Sequence, residues 1–430
     1  MNVKLIFIFI AYQFLQILIL PIVCIYLVIR KFKKKPVFGS FKERFGFIPK
    51  NINNNKKTIW LHAVSVGEIL SIETIINQIK KENSNTICYV TCGTIAGKNI
   101  AKKHLKADYI SFLPYDFLIV MLAAFKRINP TKIIIIEAEI WPNFLMLAKI
   151  LNVPLYLLNA RITERSVQKY FIFKSILKNI FNLFDQIFTQ TYDDKILFEK
   201  LGVVPKKVKA LGNIKTLNVL EKKEITTKII LKNSYKILLV GSIHQGELDI
   251  YLDLFNKLKL NIKNLKLILA PRHFNWEPEL IKKVSFTQEK YFIYNEKNNL
   301  NLEENLDKIL SENNILLICK LGELFKLYQI ADIFYLGGTF VNIGGHNLLE
   351  PAVWAIPSII GPYYQNTKII AQDLEKNNGI FITKDFETLY LKSKMLILNS
   401  EISKNMGSNS FDWLNKQANM VAQKIKEFLN

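Results

Sequence analysis

The chain has 430 residues, 50% of them hydrophobic, which is ample material for two cores and too much for one. Its 58 Lys and Arg against 36 Asp and Glu give a formal net charge of +22. The lysines are scattered and not gathered with aromatics into a stacking stripe, so the excess reads as a bias toward Lys, Asn and Ile plus docking on acidic lipid head groups, and no nucleic-acid partner is expected.

Four cysteines, Cys24, Cys88, Cys92 and Cys319, form no CxxC and no pairing with nearby histidines. That indicates neither a zinc site nor a disulfide framework and suits reduced core residues. Leu5 to Ile29 is almost wholly apolar, broken only by Gln13, Gln16 and Pro21. A helix of that length reaches about 30 Å or more, enough to span a bilayer, so residues 1–30 are expected to form a transmembrane anchor. Arg30, Lys31, Lys33, Lys34 and Lys35 follow it, against Lys4 before it, and the positive-inside rule then leaves the rest of the chain on the cytoplasmic side. No small-x-small cleavage site follows, and Ile22 and Val23 before Cys24 do not suit acylation.

Past the bridge FKERFGFIP, short β-rich runs alternate with longer helical patterns, the signature of parallel sheets built from βαβ units. Strands are predicted to begin at Thr58, Ile87, Lys132, Pro154, Gln186 and Val208, then at Lys236, Lys266, Ile315, Ile333, Pro357 and Gly379. The polar stretch Asn218 to Tyr235 interrupts the pattern and marks a domain boundary. The fold class expected is α/β, with one Rossmann-like domain at 31–218, a second at 219–409, and a final helix at 410–430 that could pack back on the first. In open α/β sheets ligands bind beyond the carboxyl ends of the strands, so the loops there are where chemistry belongs.

HAVSVGEIL places Glu68 just after the first strand, at the start of a helix. A carboxylate there suits a general base for an acceptor hydroxyl, and equally a helix cap. CGTIAGKN, Cys92 to Asn99, is one residue short between its glycines for a Walker-type loop and has Asn99 where Ser or Thr would bind magnesium, so it reads as a strand-to-helix turn. IIIIEAEI ends a hydrophobic strand with Glu137 and Glu139, on the same side of it if the strand persists that far. Burying such a carboxylate costs free energy unless a cation or donor meets it, and Arg161 and Lys215 are the candidate partners. A surface strand end is the other reading.

In the second half APRH puts Arg272 at a strand end, where a guanidinium can grip phosphate bidentately. His273 and His346 either orient a ligand or backbone or are structural. KLGEL supplies another strand-to-helix turn. The most informative segment is GGTFVNIGGHNLLEPAVWAIPSIIGP, Gly337 to Pro362, which reads as a strand, glycine loop and helix start built to hold a nucleotide. Gly344 and Gly345 let the backbone approach a ligand before a helix opens near Asn347, whose free N–H groups would face a phosphate. Glu350 in the first turn could bind the paired hydroxyls of a ribose. No histidine and carboxylate set has metal-ligand spacing, and no Ser-His-Asp or Gly-x-Ser-x-Gly arrangement appears.

Taken in order, HAVSVGE, EAEIWPN, NARIT, LGNIK, PRH, LGEL and GGTFVNIGGHNLLEP closely resemble the 3-deoxy-D-manno-octulosonic acid (Kdo) transferases of Gram-negative bacteria, from about Arg44 to the C-terminal helix. The resemblance implies a GT-B glycosyltransferase, two Rossmann-like domains facing a cleft. It implies transfer of Kdo from CMP-Kdo to a lipid A precursor at the inner membrane, in lipopolysaccharide core biosynthesis, without metal or cofactor. Carried over by motif, Glu68 would accept the proton of the acceptor hydroxyl and Glu137 and Lys215 would assist the transition state, with Glu139 and Arg161 as neighbours. Pro271, Arg272, Leu321, Gly322, Glu323, Asn347, Leu348, Leu349 and Glu350 would contact CMP, with His346 a further candidate. The sequence departs mildly from the common pattern at Ala138 and Asn213. The rivals are a binding protein that kept the fold and lost the chemistry, and a nucleotide-sugar epimerase of the same fold, which would need no membrane anchor.

Overall fold

The computed structural model describes residues 3–32, 40–52, 56–137, 139–162, 166–167, 173–298 and 300–429, with only the backbone at 20, 22–24, 26–28 and 30–32. The side chains of Cys24, Arg30 and Lys31, together with Lys33, Lys34, Lys35 and Ala138, lie outside the described residues. The chain divides into two units, one of residues 1–218 and 418–430 and one of residues 219–417.

In the first unit seven strands run β1 (Thr58–Ala63), β2 (Ile87–Cys92), β3 (Tyr109–Phe112), β4 (Lys132–Ile136), β5 (Leu155–Ala160), β6 (Gln186–Thr189) and β7 (Val208–Ala210). They pair in parallel in the order β3-β2-β1-β4-β5-β6-β7. Central strands buried along their whole length, such as β1 and β2, require cover on both faces, which the crossover helices supply. The alternation of side chains shows this directly: Ile133 and Ile135 of β4 enter one core, Ile134 and Ile136 the other. The end of the last helix, Ser400–Leu429, belongs to this unit, with Val421 and Ile425 in its core and the Phe428 ring 4.6 Å from that of Tyr156.

The second unit repeats the scheme with β8 (Lys236–Ile243), β9 (Leu265–Pro271), β10 (Tyr291–Asn295), β11 (Ile315–Cys319), β12 (Ile333–Leu336), β13 (Ser358–Ile360) and β14 (Ile380–Ile382). All pairings are parallel, in the order β10-β11-β9-β8-β12-β13-β14. The order reverses direction between β1 and β4 in the first sheet and between β8 and β12 in the second. These are the two topological switch points, where open α/β sheets leave a crevice for ligands.

The transmembrane expectation finds no support here. Among the described residues no helix is long and apolar enough to cross a membrane. The first helix, Val3–Phe32, instead lays one face on the first unit. Leu5 joins the core, Tyr12 Oη donates to Asp116 Oδ2 at 3.0 Å, Gln13 Nε2 donates to Asn143 Oδ1 at 2.6 Å, and Gln16 Nε2 donates to the Asp116 carbonyl at 2.8 Å. The two glutamines that interrupt the apolar run thus help to bind the helix to the body.

Candidate active site

In the first unit the loops that follow β1 and β4 meet at the switch point. Glu68 is the third residue of the helix Val66–Glu82 and closes a capping box with Ser65. Its carboxylate accepts from Val64 N at 2.8 Å and Ser65 N at 3.3 Å, and it is 7% exposed. The capping role is therefore real, and it fixes the carboxylate at the end of β1.

The strand expected to run through Glu139 ends at Ile136, so the alternation argument for the two acids does not apply. Glu137 instead sits at φ +60°, a left-handed conformation that a Cβ-bearing residue adopts at a cost of about 1–2 kcal/mol. Its N–H still pairs with the Leu158 carbonyl at 2.9 Å, so the turn is anchored to β5. Glu137 Oε1 lies 3.7 Å from Lys215 Nζ. Burial raises the Glu137 carboxyl, Lys215 pulls it back down, the charge of Glu68 raises it and that of Arg161 lowers it. Glu139 is raised by burial and by Glu68, while Trp141 Nε1 donates to its Oε2 at 3.1 Å. Glu68, Glu137, Glu139, Arg161 and Lys215 thus form one electrostatic cluster.

Lys215 is delivered by a residue that was not expected to matter. Asn159 on β5 is fully buried at φ +57°, and its Oδ1 accepts from Ile214 N at 3.3 Å. Asn213 Oδ1 in turn accepts from Lys215 N at 3.0 Å. Asn159 lies in the NARIT motif and Asn213 in LGNIK, and both work through the backbone, which no spacing rule reveals.

In the second unit a cleft of about 340 Å³ opens at the ends of β8, β9 and β11, at the lower end of the ~300–1,000 Å³ usual for ligand sites. Of the expected nucleotide residues, Pro271, Arg272, Leu321, Gly322, Asn347 and Glu350 line it, together with His346. Glu323 is not among the lining residues, and the side chains of Leu348 and Leu349 turn into the core at 1% and 3% exposure. The helix expected near Asn347 is only Leu349–Val353, five residues, too short for a macrodipole site. Gly344 at φ +106° and Gly345 at φ +69° make the turn before it, and Asn347 Oδ1 accepts from Leu349 N at 2.9 Å. Glu350 carries an ion pair to Lys222 at 3.4 Å, and Lys222 Nζ stands 3.8 Å over the Phe325 ring.

Sequence reasoning also missed Glu247 and His244. Glu247 is fully buried and accepts from His244 N at 2.9 Å, Gly338 N at 2.6 Å and Phe340 N at 3.4 Å, so it ties the loop after β8 to the glycine loop after β12. A signal existed. A Gly-Glu pair follows the first strand of each half, in HAVSVGE and in GSIHQGE, and both carboxylates hold strand-end N–H groups. What separates Glu68 from Glu247 is its company of two further acids and two cations. Among the described residues no grouping of His, Cys, Asp and Glu could hold a metal ion.

The family model described as 3-deoxy-D-manno-octulosonic-acid transferase (kdotransferase) matches residues 39–218. A 3-deoxy-D-manno-octulosonic acid transferase of Aquifex aeolicus (strain VF5) is 30% identical over 390 residues, 89% of this chain and 97% of that protein. The chain belongs to the Kdo transferase family. As a member it is an enzyme, a glycosyltransferase built on two Rossmann-like parallel sheets. A bifunctional glycosyltransferase/methyltransferase of Fusobacterium nucleatum is 31% identical over 390 residues, 87% of this chain but 59% of that protein, so this Kdo transferase spans less than two thirds of that relative. In fold it is similar to a UDP-GlcNAc 2-epimerase from Neisseria meningitidis, with TM-score 0.59, 15% identity, and coverage of 87% of this chain and 99% of that one. At that identity the likeness speaks for the fold alone.

Proposed function

We propose that this Kdo transferase moves Kdo from CMP-Kdo to a hydroxyl of a lipid A precursor, in lipopolysaccharide core biosynthesis, by direct displacement. The observation that carries the reading is the cluster of Glu68, Glu137, Glu139, Arg161 and Lys215 at the switch point of the first sheet. In the reaction the Glu68 carboxylate takes the proton of the acceptor hydroxyl as its oxygen bonds to the anomeric carbon. The bond from that carbon to the phosphate oxygen breaks, and its electron pair leaves with CMP. Lys215, held by Glu137, offers positive charge to the charge that develops or to the carboxylate of the sugar.

The second-unit cleft fits the nucleotide. Arg272 supplies a bidentate grip for its phosphate, and Glu350, once released from Lys222, an acceptor for ribose hydroxyls. A monophosphate leaving group carries less charge than a diphosphate, which is consistent with transfer that needs no metal ion. The enzyme would work on the cytoplasmic face of the inner membrane. The exposed side chains Phe7, Phe14, Ile17 and Leu18 of the first helix, 64% to 73% exposed, support docking on that surface.

The test is transfer by the purified full-length protein, with CMP-Kdo generated in place and a tetraacyl lipid A precursor as acceptor, read by mass spectrometry. Increments of whole Kdo units are expected. No product from a folded protein that still binds CMP would move the reading to another acceptor or to a binding protein.

A further inference from the structure

The second unit carries a group that the proposed roles leave unused. His244 Nε2 and His346 Nε2 are 2.9 Å apart, with the rings edge to edge, 5.2 Å between centroids and 20° between planes. The His273 ring meets His244 edge-on at 5.8 Å. Three separate loops supply these rings, those after β8 and β9 and the glycine loop after β12. Their placement is enforced. Glu247 draws His244 N and Gly338 N onto one oxygen, and a Cβ on Gly338 would stand 3.1 Å from His244 Cδ2, so glycine there is what lets the ring lie over the backbone. Arg272 follows β9 directly, its N–H bonded to the Ile243 carbonyl at 3.0 Å, and with His346 it lines the cleft.

Two Nε2 atoms at that separation share one proton, since one ring must donate and the other accept. With each ring neutral, one is the Nε2–H tautomer and the other the Nδ1–H tautomer. A second proton can enter at the free Nδ1 of the donor ring, making it imidazolium without breaking the contact. A third would set two N–H groups head to head. The pair is therefore a store for one positive charge.

We propose that His244 and His346, with Arg272, form a seat for a phosphate oxyanion, and that the pair takes up one proton when the phosphate binds. The groups around the pair resist that charge. Burial and then the charges of Arg272, His244 and His273 push His346 down to about 4, and His244 is lowered by burial, His273 and Arg272. The charged groups facing the pair are Arg272 and His273 on the β9 side and, beneath the His244 backbone, Glu247, whose oxygens are occupied by N–H groups. A bound phosphate reverses the sign of the local field, and the proton then becomes favourable. For the displacement reaction this matters at one moment. The phosphate gains negative charge as the sugar leaves, and a charged pair would meet it, while release of CMP would return the proton.

The inference rests on the nucleotide reading of this cleft, and its test separates the two. CMP is titrated into the full-length protein by calorimetry at pH 7.5, in three buffers of different ionisation enthalpy, alongside His244→Gln and His346→Gln. The wild type is expected to take up a proton that both variants do not, while cytidine, which lacks phosphate, drives no uptake in any of them. Between pH 6.5 and 8.5 CMP affinity should fall with pH, by up to ~10-fold per unit in the wild type, a slope lost in the variants. CMP that binds with equal proton exchange in all three proteins would overturn the seat. CMP that fails to bind at all would sink the nucleotide reading, and inorganic phosphate in the same three buffers would then decide the seat alone. Proton-linked phosphate binding that disappears in the variants upholds it, and its absence refutes it.

Discussion

Glu137 Oε1 and Lys215 Nζ stand 3.7 Å apart, one on a left-handed turn after β4 and the other at the start of the helix Lys215–Glu224 after β7. Both side chains are more than a third exposed, so the pair adds little to stability. Its effect is on protonation. Burial raises the Glu137 carboxyl and Lys215 opposes that rise. In Lys215→Met the carboxyl rises further and fewer molecules hold it ionised at a given pH. The acid limb of the pH–rate profile is expected to move to higher pH, beside an overall loss of rate. A limb that stays in place while only its height changes would show that Glu137 need not be ionised.

Glu68 has two jobs, and one substitution separates them. Glu68→Gln keeps the Ser65 capping box, because glutamine serves at that position as well as glutamate. It removes the base. Transfer is expected to fall by ~10²–10⁴ with the thermal midpoint and CMP affinity nearly unchanged. Glu68→Ala should lose as well the carboxylate half of the box, the bonds from Val64 N and Ser65 N, while Ser65 Oγ still accepts from the backbone N–H of residue 68. Full activity in Glu68→Gln would leave Glu68 as a cap only.

Glu137 carries backbone strain in its left-handed turn. In Glu137→Gly the left-handed turn is relaxed and a half-buried carboxylate is removed. Thermal stability is expected to hold or rise while transfer collapses, the trade-off of a strained site. A lowered melting temperature with transfer intact would mean the carboxylate serves the fold.

Arg272 lines the second-unit cleft beside Lys222 and Lys320, and its guanidinium is the one of the three that can grip phosphate bidentately. Arg272→Ala is expected to weaken CMP by about 1.5–3 kcal/mol, or ~10–150-fold, and to leave cytidine binding alone. Equal losses for CMP and cytidine would point to collapse of the cleft instead.

Asp116 gives the first helix a pH dependence. It accepts from Asn143 N at 2.9 Å, Phe144 N at 2.8 Å and Tyr12 Oη at 3.0 Å, and burial raises its carboxyl to about 7. The unfolded value is near 3.9. Between the two the folded protein holds a proton that the unfolded chain has released. This contribution to stability is therefore fully present at low pH and is lost as pH rises toward 7. Asp116→Asn should lose less stability than the wild type between pH 5.5 and 8, measured by urea midpoints. Parallel curves would exclude the linkage.

Much of the fold was readable because buried parallel strands are local signals. Twelve strand starts could be proposed from apolar runs; the two strands missed, β3 and β10, are the outer strands of their sheets. Tyr109 and Ile110 of β3 are only half-buried, and in β10 only Tyr294 is buried, so their apolar patterns are weak. The first helix shows the opposite limit. Its composition is that of a membrane span, and only its contacts to Asp116 and Asn143 show one face committed to protein. Glu137 was found for an incomplete reason, since the strand stops before it and the left-handed turn, not alternation, aims it.

The sequence by itself determined that this protein has two parallel α/β sheets with its motifs in the loops at their strand ends. Runs of buried β-formers, glycine turns and caps are properties of a few neighbouring residues, and the ordered motifs carried the family. Only the tertiary structure decided which loops are neighbours. β1 pairs with β4, and β8 with β12, and those pairings bring Glu68 to Glu137 and His244 to His346. Strand order is settled by how crossover helices pack on both faces of a twisted sheet, a balance of contacts between distant parts of the chain that no local pattern encodes.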